Sequence, residues 1–251
     1  MEAGGKINFK IMWELSCEQA GAGYYHKTIK QTFSIGKGAK VKPEELLKSV
    51  QAWQSGHFLL TSGLHSDQYM QCQKVLQYPE YGLALARTLA GKIKEAGVEP
   101  EVVVGPALGA VHMEVYMAIA LNELLGTAGD ATASGNGSGR KQVRAVFAER
   151  EGGGTEFHIR RGVELHEGEK VLVVEDVTTT GGSAKKVVEL VKALGATPVA
   201  VAALIDRSGG KAQFGLPFFS LIALNLETYE AELCPMCKDG STPIKPGSSK
   251  K

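Results

Sequence analysis

The sequence predicts an α/β fold: a mainly parallel, twisted sheet flanked by helices. Three observations carry this. Short apolar runs such as EVVVG (101–105), KVLVVED (170–176) and PVAVAALID (198–206) have the near-continuous hydrophobicity of strands buried on both faces. Segments with helical start and stop signals lie between them. Strand and helix alternate along the chain, which calls for the crossover connections of a parallel sheet.

Taken in order, PEELLKSVQAW (43–53) opens with Pro at a first helical position and two acids in the first turn, favourable chemistry for a helix start. FLLTSG (58–63) and QYMQC (68–72) read as short strands. PEYGLALARTLAGKIKEAG (79–97) repeats the Pro-Glu opening and stops at Gly97, and AVHMEVYMAIALNELLG (110–126) is a second long helix stopping at Gly126. VRAVFA (143–148) and KVLVVED are strands, GSAKKVVELVKALGA (182–196) is a helix, and PVAVAALID and FFSLIAL (218–224) are strands.

Residues 1–41 carry no sustained period of 2 or 3.6 and are expected to be a loosely ordered N-terminal extension. Residues 42–247 form the expected catalytic-sized domain, with 248–251 as a tail. Two segments interrupt it. Thr127–Gln142, TAGDATASGNGSGRKQ, has the Gly/Ser/Ala/Thr composition of a flexible insertion. Glu149–Glu169 is charged and glycine-rich, with a short alternating piece in its middle, and reads as a mobile hairpin or flap.

Composition narrows the classes. The 251 residues are 43% hydrophobic and 22% charged, ordinary values for a globular protein. A net charge of +1 gives no electrostatic case for nucleic acid. No apolar run approaches the ~20 residues that span a bilayer. MEAGGKINFK has no signal-peptide design, and four cysteines in so long a chain make no disulfide framework, so a cytoplasmic protein with reduced thiols is expected.

One stretch carries chemistry. KVLVVEDVTTTGGS (170–183) ends a buried strand on two acids and continues in hydroxyls and glycines. Ligands of open parallel sheets sit at the carboxyl ends of the strands, so Glu175 and Asp176 stand at that edge. Two acids there accept hydrogen bonds from a diol such as a ribose. Gly181 and Gly182 let backbone N–H groups approach an anion, and the helix beginning at about Ser183 points its N-terminus at the same place. A diol clamp one step before a phosphate cup describes a ribose 5-phosphate site. Taken alone, the Gly/Thr loop is also compatible with a plain turn and helix cap. No Gly-Lys-Ser/Thr and no G-x-G-x-x-G is present, which excludes the Walker and Rossmann readings.

VLVVEDVTTTGGS resembles the phosphoribosyl diphosphate (PRPP) signature of the type I phosphoribosyltransferases. GHFLLTSGLHSDQY (56–69), VVVGPALGAV (102–111), VFAEREGG with IRRG, and LIDRSGG (204–210) are similar to segments of the orotate phosphoribosyltransferase family. The resemblance spans roughly residues 43–247. It implies a type I phosphoribosyltransferase-like fold with a small hood hairpin. It implies transfer of the phosphoribosyl group from PRPP to orotate, with Mg²⁺ held mainly through PRPP and no protein metal ligands. It implies Glu175 and Asp176 on the ribose hydroxyls; Val177, Thr178, Thr179, Thr180, Gly181, Gly182 and Ser183 around the 5-phosphate; and Thr179 and Arg207 at orotate. It places Ala107, Leu108, Gly109, Arg150 and Arg161 at pyrophosphate, with Arg150 counted among the catalytic residues beside Glu175 and Asp176. It further implies a homodimer whose hood reaches into the neighbouring site, and no nucleic-acid or membrane partner. A transferase for another base, uracil or a purine, and a PRPP-sensing regulator are the alternatives. Arg207 speaks against the first, since a neutral base offers no carboxylate. The second needs a nucleic-acid module, and residues 1–41 show no helix-turn-helix pattern.

The chain departs from the family pattern at Thr61, Leu108-Gly109, Gly153 and Thr155, where lysine, Tyr-Lys, lysine and histidine are usual. His158, Arg160 and Arg161 are the nearest replacements. CPMC (234–237) is half of a zinc or redox motif. A zinc site needs a histidine or a partner chain to complete four ligands, because no second CxxC exists and Cys17 and Cys72 are isolated by spacing. The plainer reading is a C-terminal turn with two small buried thiols. His57, His65 and His112 are assigned no chemistry.

Overall fold

The computed structural model describes residues 42–60, 62–126, 142–152 and 154–246. The expected N-terminal extension and tail, and all of the expected insertion except Gln142, lie outside the described residues.

A six-stranded sheet has the order β5-β4-β3-β6-β7-β8, built from β3 (Val102–Pro106), β4 (Arg144–Arg150), β5 (Phe157–His158), β6 (Lys170–Thr178), β7 (Thr197–Asp206) and β8 (Phe218–Ala223). All neighbours pair in parallel except β5, which runs antiparallel to β4 with Glu149 opposite His158 and Arg150 opposite Phe157. The alternating piece of the 149–169 segment is therefore a two-residue strand that turns its start into a hairpin.

Alternation across the strands explains the two helical layers. Val102, Val104, Val171, Val173 and Val201 share one face with Val187, Val188 and Val191 of α5 (Gly182–Ala193). Val103, Leu172 and Val174, one position along, are fully buried on the other face. There α3 (Pro79–Glu95) and α4 (Val111–Leu125) pack together and against the sheet. Gly97 and Gly126 end these helices with positive φ, as their sequence positions predict. The Pro43 helix is shorter than expected: α1 stops at Ser49, and Trp53 opens β1 (Trp53–Leu59). β1 pairs antiparallel with β2 (His65–Met70), followed by a four-residue helix, α2 (Gln73–Leu76), and near the C-terminus α6 spans Pro235–Lys238. Among the described residues no helix is long and apolar enough to cross a membrane.

The insertion joins two anchored ends. Asn122, in the last turns of α4, donates to the Val143 carbonyl at 2.9 Å and accepts the Val143 N–H at 2.8 Å. A deletion joining Gly126 to Val143 keeps this clamp, and loop-closure cost changes slowly with length. Such a chain is expected to remain soluble and active; failure to fold, read by circular dichroism, would show that the segment packs against the domain.

Glu114 of α4 is 2% exposed and accepts the Gly105 N–H at 3.1 Å. Burial pushes its carboxyl up to about 8. A raised folded-state value means the stabilisation is complete below the ordinary carboxylate range and is lost as pH rises through about 8. Unfolding free energy is expected to fall between pH 5 and 8, by at most about 1.4 kcal/mol per pH unit for this one proton, and the melting temperature with it. Glu114→Gln should flatten that decline in part, since Glu175 titrates over the same window. An unchanged slope in the variant would assign the effect elsewhere.

Candidate active site

The C-terminal ends of β3, β4, β6 and β7 gather the residues singled out in the sequence. At the end of β6, Glu175 and Asp176 are both half-buried. Burial raises the Glu175 carboxyl to about 8; the neighbouring Asp176 adds to the rise and Arg150 opposes it. Burial also raises Asp176, offset by the Val177 N–H, which donates to Asp176 Oδ1 at 2.8 Å. Two acids are thus held side by side in a site too dry to keep both ionised without added positive charge.

The loop beyond them is built for an anion. Gly181 takes φ +76° with its α-carbon against the Phe214 ring, where a Cβ would lie 2.9 Å from the ring carbons. That approach starts α5 at Gly182 with no side-chain cap, leaving its N-terminus to a ligand. Thr178 Oγ1 is buried without a hydrogen-bond partner at the base of this cup. Thr179 and Thr180 are exposed at its rim. Of the expected cradle, the Val177 N–H is already taken by Asp176 and serves the acid instead.

The β3–α4 loop leans on the acid pair. A Cβ at Gly109 would stand 3.2 Å from Asp176 Oδ1, so a larger residue there would crowd the carboxylate. The Gly109 carbonyl accepts Gln73 Nε2 at 2.8 Å, and the Ala107–Leu108 peptide is cis. Expecting all three residues, Ala107, Leu108 and Gly109, to offer backbone to pyrophosphate needs correction. The Ala107 N–H continues the sheet ladder to the Ala148 carbonyl at 2.7 Å, which leaves the N–H groups of Leu108 and Gly109.

Arg207 follows β7 directly, and its N–H donates to the Thr178 carbonyl at 2.8 Å, beside the phosphate cup. Its guanidinium makes no ion pair with a described residue, its Nε is buried without a partner, and burial lowers its pKa. It lines a cleft of about 600 Å³ together with Ser208, Gly209, Leu224 and Asn225.

In the hood, Arg161 pairs with Glu149 at 2.8 Å, Arg160 pairs with Glu151, and Lys186 pairs with Glu156 at 3.1 Å. The hairpin's own Glu149 thus holds Arg161, and a role for Arg161 at pyrophosphate requires that pair to open. Among the described residues Arg150 is the hood arginine that joins no such pair; its guanidinium lies 4.7 Å from the Phe157 ring centre, across the β4–β5 register, and its charge opposes the rise of the Glu175 carboxyl. β4 lies two strands from β6 in the sheet, with β3 between them.

Comparison with known proteins places the fold in a family. A model of the phosphoribosyl transferase domain matches residues 72–214, from β2's end to the loop before β8. The orotate phosphoribosyltransferase of Caldanaerobacter subterraneus subsp. tengcongensis is 44% identical over 211 residues, covering 84% of this chain and 98% of that one. The enzyme of the same name from Caldicellulosiruptor saccharolyticus is 46% identical, over 82% and 95% of the two chains. The chain belongs to the orotate phosphoribosyltransferase family. The crystal structure of the family member from Aeropyrum pernix superimposes with a TM-score of 0.52 at 26% identity, covering 72% of this chain and 92% of that one.

Two further residues near the site had no role assigned from the sequence, Cys72 and Gln73. Cys72, buried at the start of the matched domain, lies between Asp176 and Arg207: its thiol is raised by burial and by Asp176, and Arg207 acts in the opposite sense. Gln73 holds the Gly109 loop. Gln73 opens the four-residue helix α2 and Cys72 caps it, a stretch too short to show a period, so nothing local marked them.

Proposed function

We propose that the protein transfers the 5-phosphoribosyl group of PRPP to orotate, giving orotidine 5′-phosphate and pyrophosphate, in the de novo synthesis of UMP. The observation that carries the choice of base is Arg207. A half-buried guanidinium without an acid partner, at the mouth of a cleft beside a phosphate cup, awaits an anionic ligand, and its planar fork suits a carboxylate.

In this reading Glu175 and Asp176 hold the ribose hydroxyls, and Thr178–Ser183 with the α5 N-terminus hold the 5-phosphate. Thr179 reaches toward the base, and Arg207 pairs with its carboxylate. Leu108 and Gly109 N–H groups and Arg150 face pyrophosphate; Arg161 joins them only if its pair with Glu149 opens. Breaking the C1–oxygen bond leaves an oxocarbenium-like ribose and a leaving group gaining charge, so fixed positions and fixed charges matter more than a strong base. Mg²⁺, held mainly through PRPP, would supply positive charge to the departing pyrophosphate, and the hard oxygens of Glu175 and Asp176 would suit such a cation. The hood hairpin closing over the site excludes water. A homodimer whose hood reaches into the neighbouring site, and a cytoplasmic location, belong to the same proposal.

The direct test incubates the protein with PRPP, Mg²⁺ and, in turn, orotate, uracil, adenine and hypoxanthine, and looks for nucleotide. Orotidine 5′-phosphate from orotate alone is expected. Product from uracil or a purine but not orotate reassigns the base; PRPP binding without product from any base favours a sensor.

A further inference from the structure

Far along the chain from the PRPP loop, two histidines and two cysteines converge. His57 lies on β1 and His65 on β2, adjacent strands of the N-terminal hairpin, while Cys234 precedes α6 and Cys237 lies within it. Their ligand atoms all lie within 4.8 Å of one another. His57 Nε2 is 2.9 Å from His65 Nδ1, 3.5 Å from Cys234 Sγ and 3.8 Å from Cys237 Sγ, and Cys237 Sγ is 3.3 Å from His65 Nδ1. His57, His65 and Cys234 are buried.

Hydrogen bonding alone does not account for this cluster. In either tautomer His57 Nε2 carries one proton or one lone pair, yet three polar atoms converge on it. A tetrahedral cation does account for it. With zinc bonds of ~2.0–2.1 Å to nitrogen and ~2.3 Å to sulfur, the edges of the tetrahedron are about 3.3 Å for N–N and about 3.6 Å for N–S. The three N–S separations, 3.3, 3.5 and 3.8 Å, bracket the expected edge, and the N–N separation of 2.9 Å is somewhat shorter than its edge. His57 Nδ1 meets Ser241 Oγ at 3.1 Å, the outer hydrogen bond that orients a ligating imidazole. Two thiolates and two neutral imidazoles around a divalent cation sum to zero charge, which suits burial.

We propose that His57 Nε2, His65 Nδ1, Cys234 Sγ and Cys237 Sγ bind one zinc ion, with release of the two thiol protons. The set is soft and tetrahedral, which selects Zn²⁺ over Mg²⁺ or Ca²⁺. All four positions are protein ligands, so the site is structural, with no place for substrate. This is the second half of the motif that CPMC began: the histidines come from the other end of the chain. The role follows from the connections around it. The C-terminal segment already touches the hairpin through Ile244 N–H to the His57 carbonyl, Leu59 N–H to the Ile244 carbonyl, and mutual His65–Tyr229 bonds. The ion fastens this segment to the hairpin, and soon after β2 comes Cys72, whose Sγ lies 3.8 Å from the Asp176 carbonyl.

The test uses the full chain, purified without a metal-affinity step, and does not depend on the transferase activity. Elemental analysis should find about one zinc per chain, and exchange for Co²⁺ should give the intense visible bands of tetrahedral cobalt with a sulfur-to-cobalt charge-transfer band. Cys234→Ser and Cys237→Ser should lose the metal while Cys72→Ser keeps it. Chelation without PRPP or Mg²⁺ should lower Tm by more than about 5 °C, reversed by added zinc. Should the cysteine variants fail to fold, metal content and the cobalt spectrum of the unaltered chain decide the matter. A chain that holds no zinc and gives no tetrahedral cobalt spectrum overturns the proposal, as does full metal content in Cys234→Ser or a Cys234–Cys237 disulfide in the freshly purified protein.

Discussion

Asp176→Asn is expected to fold like the parent and to turn over on the order of 10²-fold more slowly, a typical loss for a preorganised polar group. The fold should survive because asparagine keeps the shape and one acceptor oxygen. Val177 N–H still finds its partner at 2.8 Å, and Gly109 still packs against the side chain. Replacing a buried acid with an amide also removes the burial penalty that raises the Asp176 carboxyl. The loss falls on the reaction. An amide presents a donor where a ribose hydroxyl needs an acceptor, and the site loses negative charge facing an oxocarbenium-like sugar. Steady-state turnover alongside a melting curve checks both halves. Parent-like turnover in a folded variant would show that the acid pair does not hold the ribose.

How far the sequence led depends on whether the governing contact is local. β3, β6 and β7 were legible because a strand buried on both faces must be apolar throughout, and Glu175-Asp176 stood out because acids rarely follow such a run. The glycine stops at 97 and 126 and the Gly181-Gly182 turn were legible because positive φ or close approach admits little else. What was missed is held together by distant parts of the chain. Gln73 steadies Gly109 from 36 positions away, and a glutamine in a four-residue helix carries no mark of that task. The neutralisation of Arg161 by Glu149 depends on the β4–β5 register, set by a two-residue strand too short to show a period. The histidine partners of CPMC lie 177 and 172 positions away along the chain, brought in by a hairpin whose register shifts between Ser55 and Phe58. That irregularity hides the alternation that would have aligned His57 with His65.

Arg207→Ala is expected to weaken orotate far more than PRPP. One charge-assisted pair with a carboxylate contributes roughly 1.5–3 kcal/mol, so KM for orotate should rise about 10- to 150-fold while KM for PRPP changes little. The structure sharpens this in two ways. Arg207 has no ion-pair partner among the described residues and its Nε is unsatisfied, so removing it breaks no internal salt bridge and Tm should hold or rise. Its anchoring to Thr178 runs through the backbone N–H, which alanine retains, so the phosphate cup keeps its shape. A selective effect on one substrate is therefore expected, not a general loosening of the site. Arg207→Lys separates charge from geometry: lysine restores the positive charge but not the planar fork, and should recover part of the orotate affinity. Equal losses for orotate and PRPP in the alanine variant, with Tm unchanged, would mean that Arg207 serves the phosphoribosyl group. A parent-like KM for orotate would mean that the carboxylate is held elsewhere in the cleft.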